Sequence, residues 1–354
     1  MCQLMIIRIL RAGGSLLIAL VLCIWAAPLA AQQAQYASLG NFQLENGQVI
    51  QGLRIGYRTI GKLNSQKSNI VVFPTWFTGT TRQLVDLVGP GKLVDSSKYY
   101  VILMDALGDG ITSSPSNSKA QPRMKFPEFN IRDMVKSEHE LLTRRLGIHH
   151  VHAVIGISMG GMQTFQWMVS YPDFMDEAIP IVGSPQMTSY DLLLWTAELH
   201  AIENSGDWDH GNYTSPPTGA MDTAADIHSM NVTTPDYRVR QTSHAGFGRF
   251  LAETQASTLK LFDANDWVRQ LQAMMADDVS KPFGGSMEKA AAAVHARVLV
   301  VPSIQDHMVN PHPALNFAKL IHARVFKLTS DCGHLATNCE SKELYPAVNA
   351  FLAQ

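Results

Sequence analysis

Residues 154–163 read VIGISMGGMQ, a run of branched and small apolar residues that meets a serine with a glycine two positions to either side. Gly156-Ile157-Ser158-Met159-Gly160 follows the strand-like VHAVI and precedes the helix-like GMQTFQWMVSYPD. A strand, a sharp turn and a helix are the setting in which a serine becomes an exposed nucleophile. The glycines let backbone and neighbouring segments approach closely, and the serine hydroxyl sits at the positive end of the following helix, where developing negative charge is favoured. The G-x-S-x-G spacing alone is weak, since it arises by accident in roughly one chain in ten of this size.

A serine hydroxyl is a poor nucleophile at neutral pH, so it needs an adjacent base, and the base needs a carboxylate that fixes its tautomer and stabilises its charged form. Asp306 follows the apolar run RVLVVPS and His334 follows RVFKLTS. Taken singly, Asp306 could cap the next helix and His334 could sit in a turn. Taken together, loops at the carboxyl edge of a sheet would bring both beside Ser158, and the chain order Ser, Asp, His is that of α/β-hydrolases. The oxyanion of such a reaction needs two backbone N–H donors, each contributing on the order of 3 kcal/mol. Met159 supplies one, and the loop FPTWFTGT supplies the other at Trp76 or Phe77, with Phe77 favoured and Gly79 letting the loop turn.

These residues require a scaffold, and the chain describes one. With 354 residues, 46% hydrophobic content and a formal charge of -2, it can bury a large core and has no basic excess for nucleic acid. Asn46-Gly47 between two strand-like runs predicts a β-hairpin. NIVVFPT, YYVILMDA, VHAVIGIS, EAIPIVGS, RVLVVPS and RVFKLTS read as strands of a mostly parallel buried sheet. The clearest helix is IRDMVKSEHELLTRRLGI, capped by Asn130 and ended by Gly147. Strands alternating with helices mean an α/β fold with helices on both faces. Residues 186–285 contain no convincing strand, and include the loop-like NSGDWDHGNYTSPPTGAMDTAAD; they read as a helical cap inserted after the sixth strand. The expected division is a signal peptide over 1–31, a first core part over 32–185, the cap over 186–285 and a second core part over 286–354.

The signal is read from Arg8 and Arg11, the apolar SLLIALVLCIWAAPLAA and its small-residue end near Ala31. Leu20-Val21-Leu22 before Cys23 lacks the small residue that a lipid-bearing cysteine needs. The expected destination is the periplasm or the medium, with no stable membrane anchor after cleavage.

The segment FNIRDMVKSEHELLTRRLGIHHVHAVIGISMGGMQTFQWMVSYPD resembles homoserine O-acetyltransferases, in which a helix beginning Arg-Asp leads to a Ser-Met-Gly-Gly-Met-Gln turn. LFDANDWVRQLQAMMADDV is similar to that family's cap helix, and Thr78-Gly79 to its oxyanion loop. The resemblance spans most of residues 41–352. It implies an α/β-hydrolase fold with a helical cap, a triad at Ser158, Asp306 and His334, a ping-pong route through an acyl-serine, and neither metal nor cofactor.

Two departures bear on the second substrate. In the family the base is followed by an aspartate that helps hold the acceptor's amino group, whereas Leu335 follows His334 here. An aromatic-Arg-Ser step in the family's cap grips the acceptor carboxylate, whereas the local sequence here is Phe247-Gly248-Arg249. A buried acceptor charge without its partner is costly to desolvate, and export removes the enzyme from acetyl-CoA. The expected activity is therefore hydrolysis of a small-molecule acyl ester. Transfer from acyl-CoA to a homoserine-like acceptor is the alternative, and a non-catalytic binding protein on the same fold is a third. Trp76, Leu335 and Arg249 are candidate pocket residues, and a homodimer is an open assembly state.

His149 to His152 invite a metal reading, but they lie where the chain enters the central strand without a suitably spaced carboxylate. Cys332 and Cys339 are the two cysteines that remain after export, and they bracket His334. In an oxidising compartment they could pair, which contributes little global entropy from so short a loop but fixes the position of the base; two buried free thiols are the alternative.

Overall fold

The computed structural model describes residues 33–354; the expected signal segment lies outside the described residues. Eight strands form one sheet: β1 (Gln35–Gln43), β2 (Val49–Ile60), β3 (Ile70–Pro74), β4 (Tyr100–Met104), β5 (Val151–Ile157), β6 (Met175–Ile181), β7 (Arg297–Val300) and β8 (Arg324–Val325). Their order is β1-β2-β4-β3-β5-β6-β7-β8. β2 runs antiparallel to both neighbours and the remaining pairs are parallel. The β1–β2 hairpin turns at Asn46-Gly47, where Gly47 takes φ +84°.

Alternate residues of the central strands feed two hydrophobic layers, one on each face. Ile70, Val72, Ile102, Met104 and Val154 belong to one layer. Val71, Phe73, Val101, Leu103, Ala153 and Ile155 belong to the other. Period-two burial on both faces explains why these strands read as continuous apolar runs. Each expected run contains a strand. The last is the shortest, although its pairing with the β7 segment continues irregularly through Phe326 N–H to Val300 O (3.0 Å) and Leu328 N–H to Pro302 O (2.9 Å).

Two helices pack beside the central strand. α1 (Ile131–Glu140) starts as expected, with Asn130 Oδ1 accepting from Asp133 N–H at 2.9 Å. Its continuation Leu141–Arg145 is π-helical, and Gly147 at φ +62° ends it. α2 (Met159–Ser170) follows β5 directly.

Between β6 and β7 the chain forms α3 (Ser189–Glu203), α4 (Thr218–Asn231), α5 (Pro235–Gln241), α6 (Phe247–Leu261) and α7 (Ala264–Met275). Residues 218–226, expected as loop, belong to α4. Ala220, Met221, Ala224 and Ala225 give that helix its buried stripe, and Asp207 accepts from Gly219 N–H at 2.6 Å at its start. No helix among the described residues is long and apolar enough to cross a membrane.

β3 leads to β4 on one side, whereas β5 and β6 lie on the other. That reversal places a crevice at the carboxyl ends of β3 and β5, where open α/β sheets bind ligands. Phe77 follows β3 and Ser158 follows β5.

Candidate active site

Ser158 lies at the apex of the β5–α2 turn with φ +59° and ψ −122°, a conformation costly for any residue with a Cβ. Ser158 N–H donates to Ile181 O at 2.9 Å, and Met162 N–H donates to Ser158 O at 3.0 Å. The flanking glycines are sterically required. A Cβ on Gly156 would lie 2.0 Å from Gly160 O, and one on Gly160 would lie 2.7 Å from Pro74 O.

The structure brings the three expected side chains together. Ser158 Oγ lies 2.8 Å from His334 Nε2, and His334 Nδ1 lies 2.7 Å from Asp306 Oδ2. With Nδ1–H donating to the carboxylate, Nε2 is left to accept the serine proton. Asp306 Oδ1 accepts from Met308 N–H (2.8 Å) and Val309 N–H (3.0 Å), so both carboxylate oxygens are held. The Asp306 side chain is fully buried and that of His334 nearly so.

The segment carrying His334 is braced on several sides. Cys332 and Cys339 form a disulfide across it. Ser303 Oγ donates to Gly333 O at 2.7 Å. Thr329 and Ser330 N–H both donate to Glu340 Oε1 at 2.7 Å. From the helical insert, Thr234 Oγ1 donates to Asp331 O at 2.6 Å.

The loop after β3 presents its amides selectively. Thr78 N–H is taken by Gln270 Oε1 at 2.7 Å, and Gly79 N–H by Trp76 O at 2.9 Å. Among the described residues, the N–H groups of Trp76, Phe77 and Met159 have no acceptor within the protein, so both candidates in the loop stay open to a ligand. Phe77 and Met159 are the pair favoured from the sequence to face an oxyanion.

Sequence reasoning missed the two glutamines that set this geometry. Gln270, on α7, accepts from Thr78 N–H in the loop after β3 and donates to Leu107 O at 2.8 Å. Gln163, on α2, donates to Thr75 O at 3.0 Å, tying the helix after Ser158 to the end of β3. Both are fully buried. A polar residue on the apolar face of α7 was the available sign for Gln270.

Around Phe77 the insert builds an aromatic wall. Its ring meets Trp267 (centroids 4.8 Å), Trp195 (6.3 Å) and His228 (6.0 Å). His228 Nδ1 lies 3.1 Å from Oε1 of the buried Glu198. Met274 lies in the core. Asp266, at the start of α7, takes hydrogen bonds from Ser116. Burial, with the nearby charge of Asp263 adding to it, nevertheless pushes its carboxyl up to about 8.

Of the remaining candidates, Leu335 and Arg249 line one cleft of about 390 Å³. Trp76 folds back over Gly79, whose Cβ would lie 2.4 Å from the indole nitrogen, and packs against the same hydrophobic layer as Leu335 and Tyr237. His149 and His150 are exposed at the start of β5, the opposite end of the strand from Ser158.

The arrangement is similar to known proteins. Residues 88–208 match the family model of the alpha/beta hydrolase fold. The chain is 29% identical to an ethyl acetate hydrolase of Pseudomonas veronii, covering 90% of this chain and 93% of that one. It is 30% identical to a homoserine O-acetyltransferase of Trichormus variabilis, covering 86% and 89%. Among solved structures, the acetyl esterase MekB superposes with a TM-score of 0.84 at 27% identity, covering 91% of this chain and 96% of that one.

Proposed function

The chain belongs to the homoserine O-acetyltransferase-like family of α/β-hydrolases, acyl hydrolases and acyltransferases, and we propose that it is a serine esterase and that it is exported. Its substrates in this reading are small-molecule acyl esters, and its intermediate is an acyl-Ser158.

Ser158 Oγ attacks the ester carbonyl as its proton passes to His334 Nε2, and Asp306 stabilises the imidazolium through Nδ1–H. The oxyanion turns to the N–H groups of Met159 and Phe77. His334 then gives its proton to the leaving oxygen, the carbon–oxygen bond breaks, and the alcohol departs while the acyl group stays on Ser158. A water deprotonated by His334 attacks that acyl carbon. The carboxylic acid leaves, and the proton returns to Ser158 Oγ.

The observation that carries the reading is the continuous relay from Asp306 through His334 to Ser158, at 2.7 and 2.8 Å, beside unengaged amides at Met159 and in the loop after β3. Water as the second substrate is supported by Leu335, which follows the base and offers no charge for an acceptor's amino group. Likeness to an ethyl acetate hydrolase supports it too. Export is supported by the basic and apolar start of the chain and by the Cys332–Cys339 bridge, a bond that persists in oxidising compartments.

The second reading, transfer from acyl-CoA to a homoserine-like alcohol, is favoured by the 30% identity to a homoserine O-acetyltransferase. One experiment separates them: turnover of short-chain esters and of acetyl-CoA by the wild type and Ser158→Ala, with and without homoserine, scored for free acid against acylated acceptor. Free acid as the main product in every mixture supports the esterase. Acylated homoserine as the main product replaces it with the transferase. No product, together with no labelling of Ser158 by a fluorophosphonate, leaves a binding protein.

A further inference from the structure

The loop after β3 is seated at both ends on the residues that follow β4. At one end Thr75 Oγ1 accepts from Ala106 N–H at 3.0 Å. At the other, Thr81 donates to Asp105 twice, N–H to Oδ1 at 2.6 Å and Oγ1–H to Oδ2 at 2.8 Å. Arg58 Nε on β2 donates to Thr81 Oγ1 at 3.0 Å, and both Thr81 and Asp105 are buried. Between these seats stand the Trp76 and Phe77 amides and Thr78 at φ +57°, a conformation that persists only where its surroundings impose it. The position of an oxyanion donor therefore depends on where the Asp105 carboxyl sits.

Asp105 has a second neighbour, the Asp109 carboxyl, within hydrogen-bonding reach. Asp109 Oδ1 accepts from Ile111 N–H at 2.9 Å and from Thr112 N–H at 2.8 Å. Its Oδ2 is buried and receives no hydrogen bond from an N–H or hydroxyl group among the described residues. Two carboxyl groups bond to each other only through a proton, and like charges so close do not both ionise without cost. Burial raises Asp105, but the two bonds from Thr81 and the charge of Arg58 oppose that rise. Burial, then the charge of Asp105, then that of Asp266 on α7 push Asp109 well above the usual carboxylate range. Asp109 is thus the donor, through Oδ2–H, and Asp105 the acceptor. Asp109 also borders a cleft of about 260 Å³, with Thr78, Thr80, Asp263 and Asp266 among its other walls, so the pair can exchange this proton with water.

We propose that Asp105 and Asp109 are positioning residues for the oxyanion site: one proton shared between them seats Thr81, and through it the loop that carries the Trp76 and Phe77 amides. Loss of that proton to hydroxide leaves two facing carboxylates, which part. Thr81 follows Asp105, and the loop amides leave their places. The reaction then has an alkaline limit set beneath the loop after β3, apart from the triad. The proposal rests on attack by Ser158, and its test keeps it apart from the esterase reading.

The test follows kcat and KM for ethyl acetate from neutral to alkaline pH in the wild type and in Asp109→Asn, with the rate of Ser158 labelling by a fluorophosphonate as a readout that needs no ester. Asparagine keeps the shape: its Oδ1 still accepts from Ile111 and Thr112, and its Nδ2–H donates to Asp105 at every pH. In the wild type, kcat and the labelling rate fall about tenfold into alkaline pH with KM nearly constant, less than the 10²–10³ of losing a donor outright. Tm measured at each pH shows the chain still folded where they fall. In Asp109→Asn that fall is absent, and the infrared difference between the two proteins at neutral pH contains the band of a protonated carboxyl. Thr81→Val, which removes one of the two bonds to Asp105, lowers kcat at neutral pH with KM nearly constant. Equal alkaline falls in wild type and Asp109→Asn, or no carboxyl band in the difference, overturn the shared proton. An unchanged kcat in Thr81→Val, or effects confined to KM, overturn the positioning role. The expected labelling profile without turnover of any ester overturns the esterase and leaves the positioning pair standing. Neither labelling nor turnover overturns both.

Discussion

An imidazole held at Nδ1 by a carboxylate has one useful tautomer, and Asp306 is held so that it can impose it. One of its oxygens faces His334 and the other faces two backbone amides. Asp306→Asn keeps the shape but presents a donor to one of these groups. If the amide nitrogen faces His334, the ring proton moves to Nε2 and the serine loses its base. The expected result is a fall in kcat of about 10⁴-fold with Tm little changed, measured by ester hydrolysis and calorimetry; an unchanged kcat removes Asp306 from the relay. Gln270→Leu tests the oxyanion loop. It keeps the size but cannot accept from Thr78 N–H, so the Phe77 amide drifts and kcat falls about tenfold, less than the 10²–10³ of losing a donor outright, with KM nearly constant. A change in KM alone makes Gln270 part of substrate binding. Ser158, Asp306 and His334 were legible because their types, order and positions after strands constrain one another. Gln270 and Gln163 were not, because a glutamine on a helix carries no mark of what it bonds until α7 and α2 are packed against the loop after β3.

At the scale of elements, the short segment of the base is positioned by its neighbours rather than by its own secondary structure. The Cys332–Cys339 bridge closes a loop of eight residues, for which chain entropy gives about 2.5 kcal/mol, more than the small contribution expected from the sequence. Paired replacement of the two cysteines by serine is expected to lower Tm by a few degrees and to lower kcat several-fold through a less ordered His334. A lower Tm with kcat intact confines the bridge to stability. Apolar runs showed where the strands are because both sheet faces are covered. The start of α4 was hidden, since Pro216-Pro217 and the polar residues around them mask the buried stripe of Ala220, Met221, Ala224 and Ala225. The order of strands was hidden as well: nothing in the runs says that β5 returns past β3, and that reversal makes the crevice.

Across the whole molecule, buried carboxyls set the response to pH. Burial pushes Glu138, between α1 and α2, from 4.5 up to about 8, against the pull of a hydrogen bond from Trp167 Nε1 at 2.8 Å. Asp266 reaches about 8 as well, and burial raises Asp109 and Asp277 well above the usual carboxylate range. Each keeps its proton in the fold at a pH where the unfolded chain has lost it, so the folded state binds more protons. The stability this provides is complete below the ordinary carboxylate range and drains away as pH rises toward about 8. Tm is expected to fall between pH 5 and pH 9, and Glu138→Gln, which still accepts from Trp167, is expected to reduce that slope. An unaltered slope in the variant clears Glu138 of the effect. For export, the mass of the chain recovered outside the cytoplasm is expected to lack residues 1–31 and to gain two hydrogens on reduction; an intact start to the chain contradicts cleavage.

The most direct measurement is to mix the enzyme with an activated acetate ester, quench within the first turnovers and locate the added acetyl group by peptide mass spectrometry. One acetyl on the peptide containing Ser158, absent in Ser158→Ala and accumulating in His334→Ala only at a far slower rate, is the expected result. An acetyl group carried elsewhere, or ester hydrolysis at the wild-type rate by Ser158→Ala, contradicts nucleophilic attack by this serine.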